Sequence, residues 1–285
     1  MEKQKVLELS LIAAKMRRLI VDQVYAAASG HPGGSLSIAD ILTVLYWQEL
    51  NIDPNEPRKA DRDRVVLSKG HCSPGLYAAL ALRGYFPVED LKGFRRIESY
   101  LSGHPDMNAV KGVDMSTGSL GQGFSAAVGM ALAGKMDKKD YRVYAILGDG
   151  EIQEGQIWEA AMSAAHFKLD NLVAILDNNN LQISGDVDKV MSPYPIDQKF
   201  AAFGFEIIHI DGNDMNQIEA AFQKARTIKG KPTLILAKTV KGKGVSYMEN
   251  NYNWHGAAPN KEQYEQAVQE LDAEIARLEK EVAAQ

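Results

Sequence analysis

The stretch GDGEIQEGQIWEAAMSAAHFKLDNLVAILDNNN, residues 148–180, opens on a glycine–aspartate turn and closes on a run of asparagines. Inside it, residues 155–167 carry apolar side chains at three- and four-residue spacing, and NLVAIL that follows is apolar almost throughout. That order reads as a helix and then a strand covered on both faces. The run just upstream, RVYAIL from Arg142, reads as another such strand. A single strand–helix–strand crossover therefore brings the turns at Asp149 and Asn179, thirty residues apart, to one edge of a sheet.

Three more apolar runs extend the pattern: RVVLS from Arg64, FEIIHI from Phe205 and TLILAK from Thr233. Helical periodicity over 7–28, 38–50, 124–135 and 215–228 separates most of them. The alternation predicts an α/β fold, a doubly wound, mainly parallel sheet flanked by helices. Polar, glycine-containing turns follow the strands at Ser68-Lys69-Gly70-His71, Gly148-Asp149-Gly150, Asp177-Asn178-Asn179, Asp211-Gly212-Asn213 and Lys241-Gly242-Lys243-Gly244. Ligands of open parallel sheets sit at that carboxyl edge, so five loops are expected to converge on one site. Residues 261–285 differ in kind. Tyr264, Val268, Leu271, Ile275, Leu278 and Val282 form a stripe with Glu and Lys between them. The division is one domain over 1–260 and a C-terminal amphipathic helix over 261–285, packed on its own domain or, alternatively, facing a partner.

Composition narrows the function. The 285 residues are 45% apolar and 24% charged, with a formal charge of -5 and no long basic block. Neither nucleic acid nor an anionic membrane is the expected partner; a small molecule is. Charges scattered through residues 1–19 break up the apolar centre a secretory signal needs. The longest uncharged stretch, 115–134, is too rich in Gly, Ser, Thr and Gln to enter lipid. The lone cysteine, Cys72, fits a reducing, cytoplasmic setting.

At the shared edge, the Asp149 carboxylate and Asn179 carbonyl are hard oxygen donors, and a backbone carbonyl just beyond, such as that of Leu181, completes half an octahedron. Magnesium suits this set. Because Mg²⁺ takes few protein ligands and fills its shell with water and phosphate, so sparse a site implies a phosphorylated ligand. Gly150 allows close approach of a phosphate to the backbone.

This stretch resembles the thiamine diphosphate signature, and QEGQIWEAA is similar to transketolases in particular. SGHPGGSLS (29–37), LSKGH (67–71), SGHPD (102–106), STGSLGQG (116–123) and WHG (254–256) match the same family in the same order. The resemblance implies the thiamine diphosphate-binding fold. It implies that Asp149, Asn179 and the Leu181 carbonyl hold Mg²⁺, with Ca²⁺ or Mn²⁺ as substitutes, against the cofactor's diphosphate, and that Gly150 and Asn179 contact the cofactor. By the same resemblance His71 touches diphosphate, His255 reaches diphosphate and substrate, and His31 and His104 line a sugar channel as catalytic groups with His255. Gly118, Ser119 and Leu120 meet the aminopyrimidine. Many relatives carry proline at the Ser119 position.

Imidazoles suit carbon–carbon cleavage because they exchange protons with hydroxyl and carbonyl oxygens near neutral pH. Zinc is a poor alternative, since no Cys-x-x-Cys or His-x-x-x-His pair is present. His166 and His209 match no motif and read as structural. Gly121-x-Gly123-x-x-Ala126 loosely resembles a dinucleotide fingerprint, but DMSTGSL before it makes no convincing strand. A Cys72–His71 nucleophile is set aside, because adjacent residues seldom face each other.

Full-length transketolases continue past this region into a pyrimidine-binding domain, which brings the glutamate that activates the cofactor, and then a third domain. No glutamate here occupies that motif. The resemblance thus implies the diphosphate-binding subunit of a split transketolase, moving a two-carbon ketol unit from a ketose phosphate to an aldose phosphate with a separately encoded C-terminal partner chain. The expected assembly is a heterotetramer of two plus two chains. The alternatives are another thiamine-dependent ketol transferase with a different sugar, and a non-catalytic cofactor-binding subunit.

Overall fold

The structure, a computed structural model, describes residues 1–284. Its strands are β1 (Arg64–Leu67), β2 (Val143–Gly148), β3 (Leu172–Asn178), β4 (Leu181–Gln182), β5 (Gly185–Asp186), β6 (Glu206–Asp211) and β7 (Thr233–Lys238). The helices are α1 (Lys3–Ala27), α2 (Pro32–Ser37), α3 (Ala39–Val44), α4 (Ser73–Leu82), α5 (Gln122–Met136), α6 (Gly155–His166), α7 (Val187–Met191), α8 (Ile196–Ala202), α9 (Met215–Thr227) and α10 (Lys261–Ala283). The five apolar runs form one sheet in the order β1-β2-β3-β7-β6, every neighbouring pair parallel. Strands β4 and β5 make a separate antiparallel hairpin.

Period-two alternation sends the side chains of each central strand to two cores. Tyr144, Ile146, Val173 and Ile175 pack with Met16 and Ile20 of α1, Leu76 of α4 and Phe222 of α9. Ala145, Leu147, Ala174 and Leu176 pack on the opposite face with Phe124 of α5, Ile157 of α6 and Phe200 of α8. Helices on both faces explain why the strands are apolar throughout rather than alternating. No helix among the described residues is long and apolar enough to cross a membrane.

Three local features depart from the sequence reading. The helix expected over 38–50 is divided into α3 and a wide π turn, Leu45–Glu49. The short α2, with two glycines, gives no periodic signal. Helix α4 is buried on every side from Ser73 to Ala81, so it lacks the polar face that marks an amphipathic helix.

Helix α10 starts at a capping box: the Asn260 side chain accepts from the Gln263 N–H, and the Gln263 side chain accepts from the Asn260 N–H, both at 2.9 Å. It lies along α1, where the Tyr25 and Tyr264 rings stack with centroids 3.9 Å apart and Tyr264 donates to Asp22 at 2.8 Å. Ala267, Leu271 and Leu278 are the buried part of its stripe. Gln285, the last residue of the helix expected over 261–285, lies outside the described residues.

Truncating Leu271, which is 2% exposed, to alanine should cost about 2–4 kcal/mol in urea unfolding. Arg277→Ala removes only surface pairs with Glu274 and Glu281 and should change stability by less than about 0.5 kcal/mol. Equal losses in the two variants would contradict this account of how α10 is held.

Candidate functional site

The parallel register fixes the site. Gly148 stands opposite Asp177, and Asn178 opposite Lys238, so the turns after β2, β3 and β7 leave the sheet side by side. A cavity of about 300 Å³ opens there, and Asp149, Asn179, Leu181, His31, His71 and His255 are among its walls.

Asp149 is buried and accepts from the backbone N–H of Gly150 at 2.9 Å and from that of Asn180. Asn180 holds a left-handed φ of +60°, which turns its N–H back toward the carboxylate. The Asn179 amide donates to Asp177 at 2.9 Å, and its carbonyl oxygen accepts from the Leu181 N–H at 3.0 Å. Lys241 Nζ donates to the Leu181 carbonyl at 2.7 Å and lies 3.1 Å from His255 Nδ1. The three oxygen donors expected from the sequence are thus gathered at one corner. Asp177 has the Lys69 ammonium as counter-ion, whereas Asp149 has only backbone N–H groups. Burial first, and then the charge of Asp177, pushes the Asp149 carboxyl up to about 7. A buried carboxylate in that state fits a hard cation. Among the described residues no three His, Cys, Asp or Glu side chains could hold a metal together, so an ion here would draw on amide and carbonyl oxygens and on a bound ligand.

Facing this corner, His31, His71 and His255 form a triangle with ring centroids 5.1, 5.1 and 5.6 Å apart. Helix α2 and its preceding turn bring His31, the 3-10 turn after β1 brings His71, and the turn at Tyr252–Trp254 brings His255. His31 Nδ1 is buried without a hydrogen-bond partner, an atom aimed at something the chain itself does not supply. His104 stands apart from the triangle, exposed, against Gly118: a Cβ there would fall 3.1 Å from the imidazole. Gly118 and Leu120 line the cavity, while Ser119 is exposed between them. Gly150 lines it under Gln182 of the β4–β5 hairpin, whose Cβ is 3.2 Å from where a Gly150 Cβ would be. His166 and His209 are exposed and absent from this cavity. Cys72 is buried, and burial pushes its thiol up, away from thiolate reactivity.

Four residues that carry the site lie in or beside the strand-end turns, where the sequence pattern assigns them no role. Lys69 and Asp177 form a buried ion pair, Lys241 holds the Leu181 carbonyl, and Glu151 accepts from Ser68 Oγ, from the Gly121 N–H (2.9 Å) and from the Gly148 N–H (3.0 Å). Glu151 thereby ties the aspartate turn to the glycine loop that opens α5. The available signal was a charged residue one or two positions past an apolar strand.

Residues 9–282 match the family described as "Transketolase, thiamine diphosphate binding domain". The chain is 45% identical to one of the separately encoded subunits of apulose-4-phosphate transketolase from Phocaeicola vulgatus, over 96% of this chain and 97% of that one. It is 47% identical to 6-deoxy-6-sulfo-D-fructose transketolase subunit SqwG of a Clostridium species, over 91% and 94%. Human transketolase is 42% identical over 96% of this chain but only 44% of its own length. Among solved structures, transketolase from Campylobacter jejuni superposes with a TM-score of 0.87 at 37% identity, covering 95% of this chain and 45% of that one.

The electrostatics of the triangle predict acid sensitivity. Burial, followed by the charges of Arg95, His104 and Lys241, lowers His31 to about 4; burial, followed by Lys241 and His31, lowers His255 to about 3. An unfolded histidine titrates near 6.5. Folding stability is therefore fully present above pH 6.5 and falls as the pH drops from 6.5 toward 4, where the unfolded chain binds protons that the folded imidazoles refuse. Urea titrations across that window should show the decline, and His31→Asn should flatten it. A His31→Asn profile parallel to wild type would contradict the assignment.

Proposed function

The chain belongs to the transketolase family as its thiamine diphosphate binding domain, and on that premise we propose that it is the cofactor-binding subunit of a split transketolase. The observation that carries the reading is a match of nearly full length to separately encoded transketolase subunits, beside a match to less than half of one-chain transketolases. A single domain of 1–260 with a helical C-terminal extension would then work with a separate chain carrying the pyrimidine-binding and C-terminal domains, in a complex of two plus two chains in the cytoplasm.

Mg²⁺ is the ion we assign to Asp149, Asn179 and the Leu181 carbonyl, with Ca²⁺ or Mn²⁺ able to replace it; all three donors are hard oxygens. Gly150 and Asn179 approach the diphosphate beside that ion, and His71 and His255 face it from the imidazole triangle. Gly118, Ser119 and Leu120 offer backbone groups to the aminopyrimidine. The chemistry that bound thiamine diphosphate supplies is reversible addition of a ring carbon to a sugar ketone, so that a two-carbon ketol unit leaves one sugar and joins another. The chain's own part is positional and protonic. His31, His104 and His255 are uncharged at neutral pH, because burial lowers all three. Each can accept a proton at one ring nitrogen while donating from the other, as hydroxyl and carbonyl oxygens interchange. The relatives' names cite different sugars, apulose 4-phosphate and 6-deoxy-6-sulfo-D-fructose, so the substrate class here is a ketose with an anionic end, sugar phosphates first among them.

Two measurements test the reading. Asp149→Ala should weaken metal-dependent uptake of thiamine diphosphate by more than about 100-fold in calorimetry; unchanged uptake and metal requirement would overturn the site. The isolated chain should show no ketol transfer, and mixing with the partner chain should restore it; full activity alone would overturn the split arrangement.

A further inference from the structure

Arg95 stands beside the histidine channel, outside the metal corner and the imidazole triangle. It follows the 3-10 turn Val88–Gly93 and holds a left-handed φ of +58°, fixed by its N–H donating to the Leu101 carbonyl at 2.8 Å. A non-glycine residue in that region is strained, which marks its side-chain direction as specified rather than incidental. The guanidinium lies over Gly103, one residue before His104. A Cβ at Gly103 would fall 2.6 Å from Cζ, 2.7 Å from Nη2 and 2.8 Å from Nε. Gly103 has no positive φ, so its backbone does not call for glycine; the close approach of Arg95 does. The same loop is tethered from below by Tyr77, whose hydroxyl donates to the carbonyls of Ser102 at 3.0 Å and His104 at 3.1 Å.

So well held a cation lacks a protein partner. Arg17, Arg18, Arg62, Arg226 and Arg277 pair with Asp40, Asp22, Asp114, Glu49 and Glu274, and Arg95 is not among these pairs. Its Nε is buried with no hydrogen-bond acceptor. The Phe94 ring, 5.5 Å from Cζ, accounts for the flat face of the group but not for its N–H donors. Its positive field reaches both His31 and His104, so it belongs to the channel. His104 is exposed, whereas His31, His71 and His255 are partly buried around the cavity that holds Asp149. Arg95 thus lies toward the outer end.

Resting on the transketolase reading, we propose that Arg95 is a specificity-determining residue, whose guanidinium binds the phosphate or sulfonate at the far end of a sugar that reacts deeper in the channel. A planar fork of free donors matches a tetrahedral oxyanion better than it matches a lone hydroxyl. The chain thereby has its own grip on the anionic end of the sugar.

The test uses the complex reconstituted from both chains. Arg95→Leu should raise KM about ten- to hundred-fold for fructose 6-phosphate and for 6-deoxy-6-sulfofructose. KM for uncharged erythrulose and Kd for thiamine diphosphate should stay within about two-fold. Arg95→Lys should recover part of the loss, and Gly103→Ala, which keeps the charge but displaces the fork, should reproduce it in part. Equal losses on charged and uncharged donors, or none on either, would overturn the assignment. A wild-type complex inactive on every donor would instead defeat the transketolase reading, and this assignment with it.

Discussion

The ion pair between Lys69 and Asp177 holds the site together. Both side chains are almost wholly buried and 108 residues apart in sequence. Asp177 also accepts from Ser37 at 2.6 Å, from Thr239, and from Asn179 at 2.9 Å, while Lys69 donates to the Gly34 carbonyl at 2.9 Å. One carboxylate thus ties together α2, the turn after β1, the tip of β3 and the loop after β7. Burial alone would raise its pKa; the charge and hydrogen bond of Lys69, with the hydroxyls of Ser37 and Thr239, outweigh that and hold it below the ordinary carboxylate range. Removing one partner of such a pair leaves an uncompensated charge in a low-dielectric interior, typically costing about 3–5 kcal/mol. Here the damage would reach the Asn179 amide directly.

The contrast with Asp149 gives the pair its functional meaning. Two buried carboxylates sit at the tips of adjacent strands, and each raises the cost of ionising the other. One is neutralised permanently by a lysine. The other is left with N–H donors alone, so its charge is compensated fully only when a cation arrives. Lys241 occupies the ground between them: burial lowers its pKa, and its ammonium rests on the Leu181 carbonyl and against His255. The corner is arranged so that positive charge is needed there.

Parts of this were legible in the sequence because they follow from local pattern. Strands covered on both faces read as unbroken apolar runs, and all five proved to be in the sheet. Asp149 and Asn179 could be paired because one crossover has a predictable span. The Lys69–Asp177 pair could not be read, since a contact across 108 residues leaves no periodicity, and lysine in a strand-end turn ordinarily means a solvated loop. Helix α4 was hidden by burial all round, and the β4–β5 hairpin by its two-residue strands. The terminal stripe was ambiguous because α1 and a foreign helix would demand the same heptad; the Tyr25–Tyr264 stack resolves where it lies.

Comparison of the two sheet edges shows why function belongs to one of them. The amino edge also buries charge, but there every group is answered from within. Asp63 accepts from the N–H groups of Asn51 and Arg142, both at 2.8 Å; Glu49 takes Tyr144 and Arg226; Asp114 takes Arg62 and, at 2.7 Å, the Val65 N–H. At the carboxyl edge the pattern reverses: Asp149 lacks a counter-ion, His31 Nδ1 lacks a partner, and Arg95 beside it lacks an acceptor. Desolvated polar groups left unanswered destabilise a fold, by about 1–3 kcal/mol each. An edge that gathers several of them in one place, while its opposite edge gathers none, is shaped by molecules that bind there rather than by folding alone.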